Sequence, residues 1–137
     1  MTLYHFSLTK LDVGDVLYGW KYKHKRLQRT GQKYVDEFFE EVRKELFPDA
    51  TSLFTSLWVT DEFDPKIARK KFEENPDVQL GYLYAVIPLS EPYPVAARAE
   101  VEACRLITWR KDLTYEEREK VLRDLAIKFW SNDPDYR

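Results

Sequence analysis

Residues 80–89, Leu-Gly-Tyr-Leu-Tyr-Ala-Val-Ile-Pro-Leu, are apolar at odd and even positions alike. In a strand, successive side chains point to opposite faces, so this run needs cover on both sides and reads as a central strand. Other layers must therefore come from the rest of the chain. Residues 2–7 are β-prone and supply a first strand. Residues 52–59, with a core of Leu53, Phe54, Leu57 and Trp58, read as another strand, apolar on both sides. Residues 96–107 alternate, with Ala97, Ala99, Val101 and Ala103 facing one way and Arg98, Glu100 and Glu102 the other; that pattern predicts a strand with one solvated face.

Helices are expected over residues 32–47, 65–74 and 114–130. In the first, Tyr34, Phe38, Phe39, Val42 and Leu46 recur at three- and four-residue spacings, and Pro48 closes it. The second opens on Asp64-Pro65, an N-cap followed by proline at the first helical position. A capping box, Thr114-x-x-Glu117, starts the third, whose inner face is Val121, Leu122, Leu125, Ala126 and Phe129. Residues 131–137 read as loose. The order of elements implies an α+β fold, a mixed or antiparallel sheet with flanking helices, in a single domain over residues 1–137.

The 9 Tyr, 8 Phe and 4 Trp exceed what a minimal core needs, which points to a pocket or an interface, although Trp58, Trp109 and Trp130 are placed in the core. With 22 basic and 24 acidic residues there is no global field to draw the chain to DNA or anionic lipid. Cys104 is the one cysteine and cannot form an internal disulfide, which suits a reducing compartment. No signal-peptide pattern follows Met1 and no apolar run approaches a membrane span, so a cytoplasmic protein without membrane contact is expected.

Several chemistries find no motif. His5, His24 and Cys104 never stand at metal-ligand spacing, so no metal site is expected. The four glycines do not cluster into a phosphate loop, and there is no nucleophile elbow. His5 shares a strand face with Leu3 and Ser7, where it is either a hydrogen-bonded core histidine or a donor that positions a ligand. Lys21, Lys23, Lys25, Arg26 and Arg29, with His24 and Lys33, interleave with Trp20 and Tyr22. That stretch is either a surface for a protein or nucleic-acid partner or a solvated loop offset by the acids Asp36, Glu37, Glu40 and Glu41.

Leu3-Tyr4-His5-Phe6-Ser7, followed by Leu11-Asp12-Val13-Gly14-Asp15-Val16-Leu17, resembles the opening of the rifampin ADP-ribosyltransferases, an aromatic-His-Gly-Thr strand and then a Gly-Asp turn. Leu53-Phe54-Thr55-Ser56, Ile67-Ala68 and Tyr82-Leu83-Tyr84-Ala85-Val86-Ile87-Pro88 follow in the order of that family's next strand, helix and strand. Phe47-Pro48-Asp49 with Ser52 and Phe54, and the ending Phe129-Trp130-Ser131, are similar to related uncharacterised bacterial ADP-ribosyltransferase-like proteins. Phe6 stands where the family has glycine, Leu53 or Phe54 where it has tyrosine, and the arginine after Ser52 is missing.

The resemblance implies a split β-sheet whose cleft holds NAD as co-substrate. In that cleft Tyr4, His5 and Ser7 contribute from the first strand, with His5 on the nicotinamide ribose, and Phe54 and Ser56 pack against the nicotinamide. A late acidic residue, Glu100 or Glu102, stabilises the ribosyl cation, since a carboxylate there favours the transition state over the ground state; the plain reading of both glutamates is a solvated strand face. Two functions follow: an enzyme transferring ADP-ribose to a macromolecule or small molecule, or a non-catalytic binding module, of the phage or mobile-element inhibitor type, that blocks a partner through the basic stretch.

Overall fold

Backbone hydrogen bonding in the computed structural model, which describes residues 2–7, 10–18, 31–61 and 82–137 apart from the side chains of Phe6 and Leu83, gives two strands and three α-helices. They are β1 (Leu3–Ser7), α1 (Gln32–Leu46), β2 (Tyr82–Val86), α2 (Ala97–Trp109) and α3 (Tyr115–Trp130), followed by a 3-10 turn at Pro134–Tyr136. The α+β class is thus observed. The helix expected over 65–74 and most of the basic stretch lie outside the described residues. The chain divides into two compact units: Met1–Leu27 with Phe54–Pro92, and Gln28–Leu53 with Tyr93–Arg137.

In the first unit β1 and β2 are antiparallel, with Leu3 opposite Val86, His5 opposite Tyr84 and Ser7 opposite Tyr82. Tyr4 also exchanges two backbone hydrogen bonds with Thr60, of 2.8 and 2.9 Å. Among the described residues the strand with neighbours on both sides is therefore β1. The 80–89 segment, expected at the centre, leaves Tyr82, Ala85, Ile87 and Leu89 exposed. The strand expected over 52–59 is a turn at 53–55 and an irregular stretch, followed by a backbone bridge from Thr60 to Tyr4 of β1. Two of its backbone groups are engaged by side chains, the Leu53 N–H by Glu40 and the Trp58 carbonyl by His5.

The second unit is a three-helix assembly. Its core is Val35, Phe39 and Val42 of α1, Ala99, Ala103 and Leu106 of α2, and Leu122, Leu125, Ala126, Phe129 and Trp130 of α3. Phe39 and Phe129 pack at 5.3 Å and Phe129 meets Trp130 edge-on at 4.8 Å; buried aromatics of this size contribute about 1.5–3 kcal/mol each. The Trp130 indole N–H reaches the Phe39 carbonyl at 2.9 Å, so the polar end of the ring is satisfied inside the core. Trp109, by contrast, is 78% exposed, which corrects its expected place in the core.

The expected strand over 96–107 is helix α2. Its alternation also contains a helical stripe, since Ala96, Ala99, Glu100, Ala103, Cys104 and Leu106 are the buried positions. Ala, Glu, Arg and Leu favour helix, and Val101 and Ile107 are too few to tip the balance towards a strand. Helix α3 starts as expected, with the Thr114 hydroxyl oxygen accepting from the Glu117 N–H at 3.2 Å. It ends in a Schellman motif: Asn132, at φ 53, directs its N–H to the Phe129 carbonyl, and the Asp133 N–H reaches Lys128. The tail is therefore not loose. Tyr136 lies under Arg98 and Lys128, at 5.4 and 4.7 Å from ring centre to cation.

Helix α1 begins at Gly31, whose φ of 78° lies in the left-handed region. A Cβ there would sit 3.0 Å from Ile107 Cγ2, so the glycine also permits close approach of α1 to α2. Gly31→Ala is expected to cost about 1–2 kcal/mol for the backbone alone, and more through the crowding of Ile107. An unchanged urea midpoint for this variant would refute the left-handed start of α1.

Candidate functional site

β1 carries His5 and Ser7 on one face, 8% and 5% exposed, as the two-residue period of a strand requires. Tyr82 and Tyr84, opposite them on β2, belong to the same face, and their rings lie 6.5 Å apart. The Tyr84 hydroxyl oxygen accepts from the Leu11 N–H at 2.7 Å, which fastens the loop after β1 to this sheet. His5 Nδ1 lies 2.7 Å from the Trp58 carbonyl. A carbonyl only accepts, so Nδ1 carries a hydrogen, and in the neutral ring Nε2 is the acceptor nitrogen. The ring is thus held in one orientation and one tautomer.

Tyr4, grouped with His5 and Ser7 in the sequence, points to the other face of the strand. Phe54 and Ser56 are half-buried in and just after the 53–55 turn. Trp58, further along that segment and placed in the core by sequence reasoning, is brought against His5. A side-chain bond to a backbone carbonyl 53 residues away leaves no local pattern.

Glu100 and Glu102 belong to the other unit, on α2. On a strand they would share a face; on a helix, two residues apart, they are separated by roughly 200°. Glu102 pairs with Arg105 at 3.2 Å on the helix surface. Glu100 is 7% exposed and accepts from Gln32 Nε2 at 2.9 Å. The same nitrogen donates to Asp36 at 2.8 Å, and Gln32 Oε1 lies 3.5 Å from Cys104 Sγ. Gln32 is itself 2% exposed, so one amide serves two carboxylates and a thiol in a dry environment. Neither carboxylate rests on that amide alone, since each has further interactions.

One helical turn along α1 from Asp36, Glu40 is buried too. Its Oε1 accepts from Arg43 Nη2 at 2.8 Å and from the Ser52 hydroxyl at 2.7 Å, and its Oε2 accepts from the Leu53 N–H at 3.2 Å. Arg43 Nη1 continues to the Ala50 carbonyl at 3.0 Å. Asp36 and Glu40, expected on a solvated acidic face that offsets the basic stretch, thus point inward, while Glu37 and Glu41 remain exposed. Lys21, Lys23, Lys25, Arg26 and Arg29 lie outside the described residues. Among the described residues no group of three or more His, Cys, Asp or Glu could hold a metal ion, and no helix is long and apolar enough to cross a membrane.

No protein-family model, curated protein or solved structure matches this chain.

Burial raises the Glu40 pKa, but the bonds from Arg43, Ser52 and Leu53 outweigh it and hold the carboxyl below its ordinary 4.5. A depressed folded-state pKa contributes stability that is complete above the unfolded value and lost as pH falls through the folded one. Glu40→Gln is therefore expected to cost about 1–3 kcal/mol at neutral pH. The gap to the wild type should narrow as pH falls below 4.5. Urea titrations of both proteins at several pH values check this, and a gap independent of pH excludes the ionic contribution.

Proposed function

We propose that the protein is ADP-ribosyltransferase-like and binds NAD at the His5 face of β1. The observation that carries this reading is the His5–Trp58 bond, which fixes a histidine ring in one tautomer beside a second buried polar residue, Ser7, and two tyrosines. In this reading the His5 imidazole would hydrogen-bond a ribose hydroxyl of NAD. Transfer breaks the bond between ribose and nicotinamide, and nicotinamide leaves with the bonding electrons. The target nucleophile then bonds to the ribose carbon and gives up its proton. Positive charge gathers on the ribose between these events, and a carboxylate stabilises it. Glu100 and Glu102 are the two candidate acids, the first buried against Gln32 and the second paired with Arg105.

A specific observation favours the second reading, a non-catalytic binding module of the phage or mobile-element type that blocks a protein or nucleic-acid partner. Helix α2 turns Glu100 into a packed cluster with Gln32 and Asp36, where its work is structural. The basic stretch with Lys21, Lys23, Lys25, Arg26 and Arg29 is then the partner surface.

NAD is expected to raise the melting temperature, by an amount equivalent to about 2.7 kcal/mol at a hundredfold excess over Kd. His5→Ala should remove that response while leaving a cooperative transition. Glu100→Gln keeps an acceptor for Gln32, so it should retain the fold and NAD affinity yet lower nicotinamide release by roughly 10²–10³. A wild type with neither an NAD-dependent shift nor nicotinamide release leaves the binding module as the function.

A further inference from the structure

Helix α1 buries a polar row, Gln32, Asp36 and Glu40, and turns two aromatics outward. Tyr34 is 38% exposed and stacks on Phe38 at 6.4 Å. Where this face meets α3, a groove of about 480 Å³ opens, with Phe38 and Val42 among its lining residues and Glu41, Glu45, Glu116 and Glu119 beside them. Two cations also line it, but Arg123 is committed to Glu45 through bonds of 2.9 and 3.1 Å. Glu41 meets Lys44 at 3.6 Å with both side chains largely in water, an arrangement that neutralises little. Lys120 is left against Glu41, Glu116 and Glu119, so the rim is acidic. Tyr115, 60% exposed, adds a further ring close to Glu119.

We propose that the groove between α1 and α3 docks a basic amphipathic segment of a protein partner. The acidic rim disfavours nucleic acid and other anions, and the apolar lining gives a bare cation nothing to bury. A lysine or arginine satisfies both requirements: its aliphatic stem covers the half-buried Phe38 ring and its charge reaches Glu41 or Glu119. Tyr34 and Tyr115 offer ring faces to the same cations. The volume suits a few side chains of one segment. This surface is independent of the His5 face and of NAD.

The test is fluorescence anisotropy with three labelled synthetic peptides of equal length: Lys and Leu at helical spacing, Lys and Ser in the same pattern, and Glu and Leu. Only the Lys/Leu peptide should bind saturably, and backbone amide shifts should be confined to α1 and α3. The double variant Glu41→Lys, Glu119→Lys should weaken binding by about tenfold or more, since like charges now face the peptide. Glu91→Lys, on an exposed loop of the other unit, should leave it unchanged. Phe38→Ala should also weaken it; if that variant fails to fold, the charge-reversal arm decides alone. Equal binding of the Lys/Ser peptide, or an equal loss in Glu91→Lys, would overturn the proposal. So would an unliganded dimer that Glu119→Lys dissociates, because the occupant would then be a second copy.

Discussion

The rotation of α1 about its own axis is set by a buried polar row that begins with the side-chain amide of Gln32. Gln32 Nε2 has two hydrogens and directs them to Asp36 and Glu100, one on its own helix and one on α2. At 2% exposure no bulk water can substitute for either partner, and a hydrogen bond lost inside the core costs more than an exposed aromatic. Turning α1 by one residue to bury Tyr34 would withdraw the donor from Glu100 and carry Glu40 away from Ser52 and Leu53. The polar row therefore locks the helix at both ends, to α2 through Gln32 and to the 50–53 turn through Glu40 and Arg43. The outward aromatics, and hence the groove beside α3, follow from that lock.

Within the sheet unit a comparable substitution occurs on the backbone side. After the Tyr4–Thr60 pair, the next rung of an antiparallel ladder would set residue 6 against residue 58. The Trp58 carbonyl is instead engaged by the His5 ring. Local geometry therefore links two facts about this unit: the 56–59 stretch is irregular and the imidazole is held fast. Preorganisation of this kind suits ligand binding because the orienting cost is met during folding.

Much of this was legible in the sequence. The bounds of α1 and α3, the Thr114 cap and the shared face of His5 and Ser7 all follow from local rules, namely spacing, capping chemistry and the period of a strand. What escaped was decided over long range. For residues 96–107 two periods coexist, and helix propensity together with the burial of Ala99 and Ala103 selects the helical one. For α1 the hydrophobic spacing favoured a face containing Tyr34 and Leu46, yet both are exposed, because pairing Gln32, Asp36 and Glu40 with distant groups outweighs burying those two side chains. Trp58 was missed because its role lies in its carbonyl, which carries no side-chain signature.

The same helix-for-strand exchange alters what the two glutamates mean chemically. As neighbours on one strand face, Glu100 and Glu102 would be interchangeable candidates for stabilising a cation. On α2 they become unlike groups, one buried on an amide and one paired with Arg105 at the surface. Charge along α1 divides in a similar way. Asp36 and Glu40 are committed inside the fold. Glu37 and Glu41, exposed, act on whatever approaches. A formal net charge of -2 therefore says little about the field a partner meets. What matters is which carboxylates the packing has left near a partner's approach, and the lining of the α1–α3 groove sets four glutamates against Lys120 and Arg123.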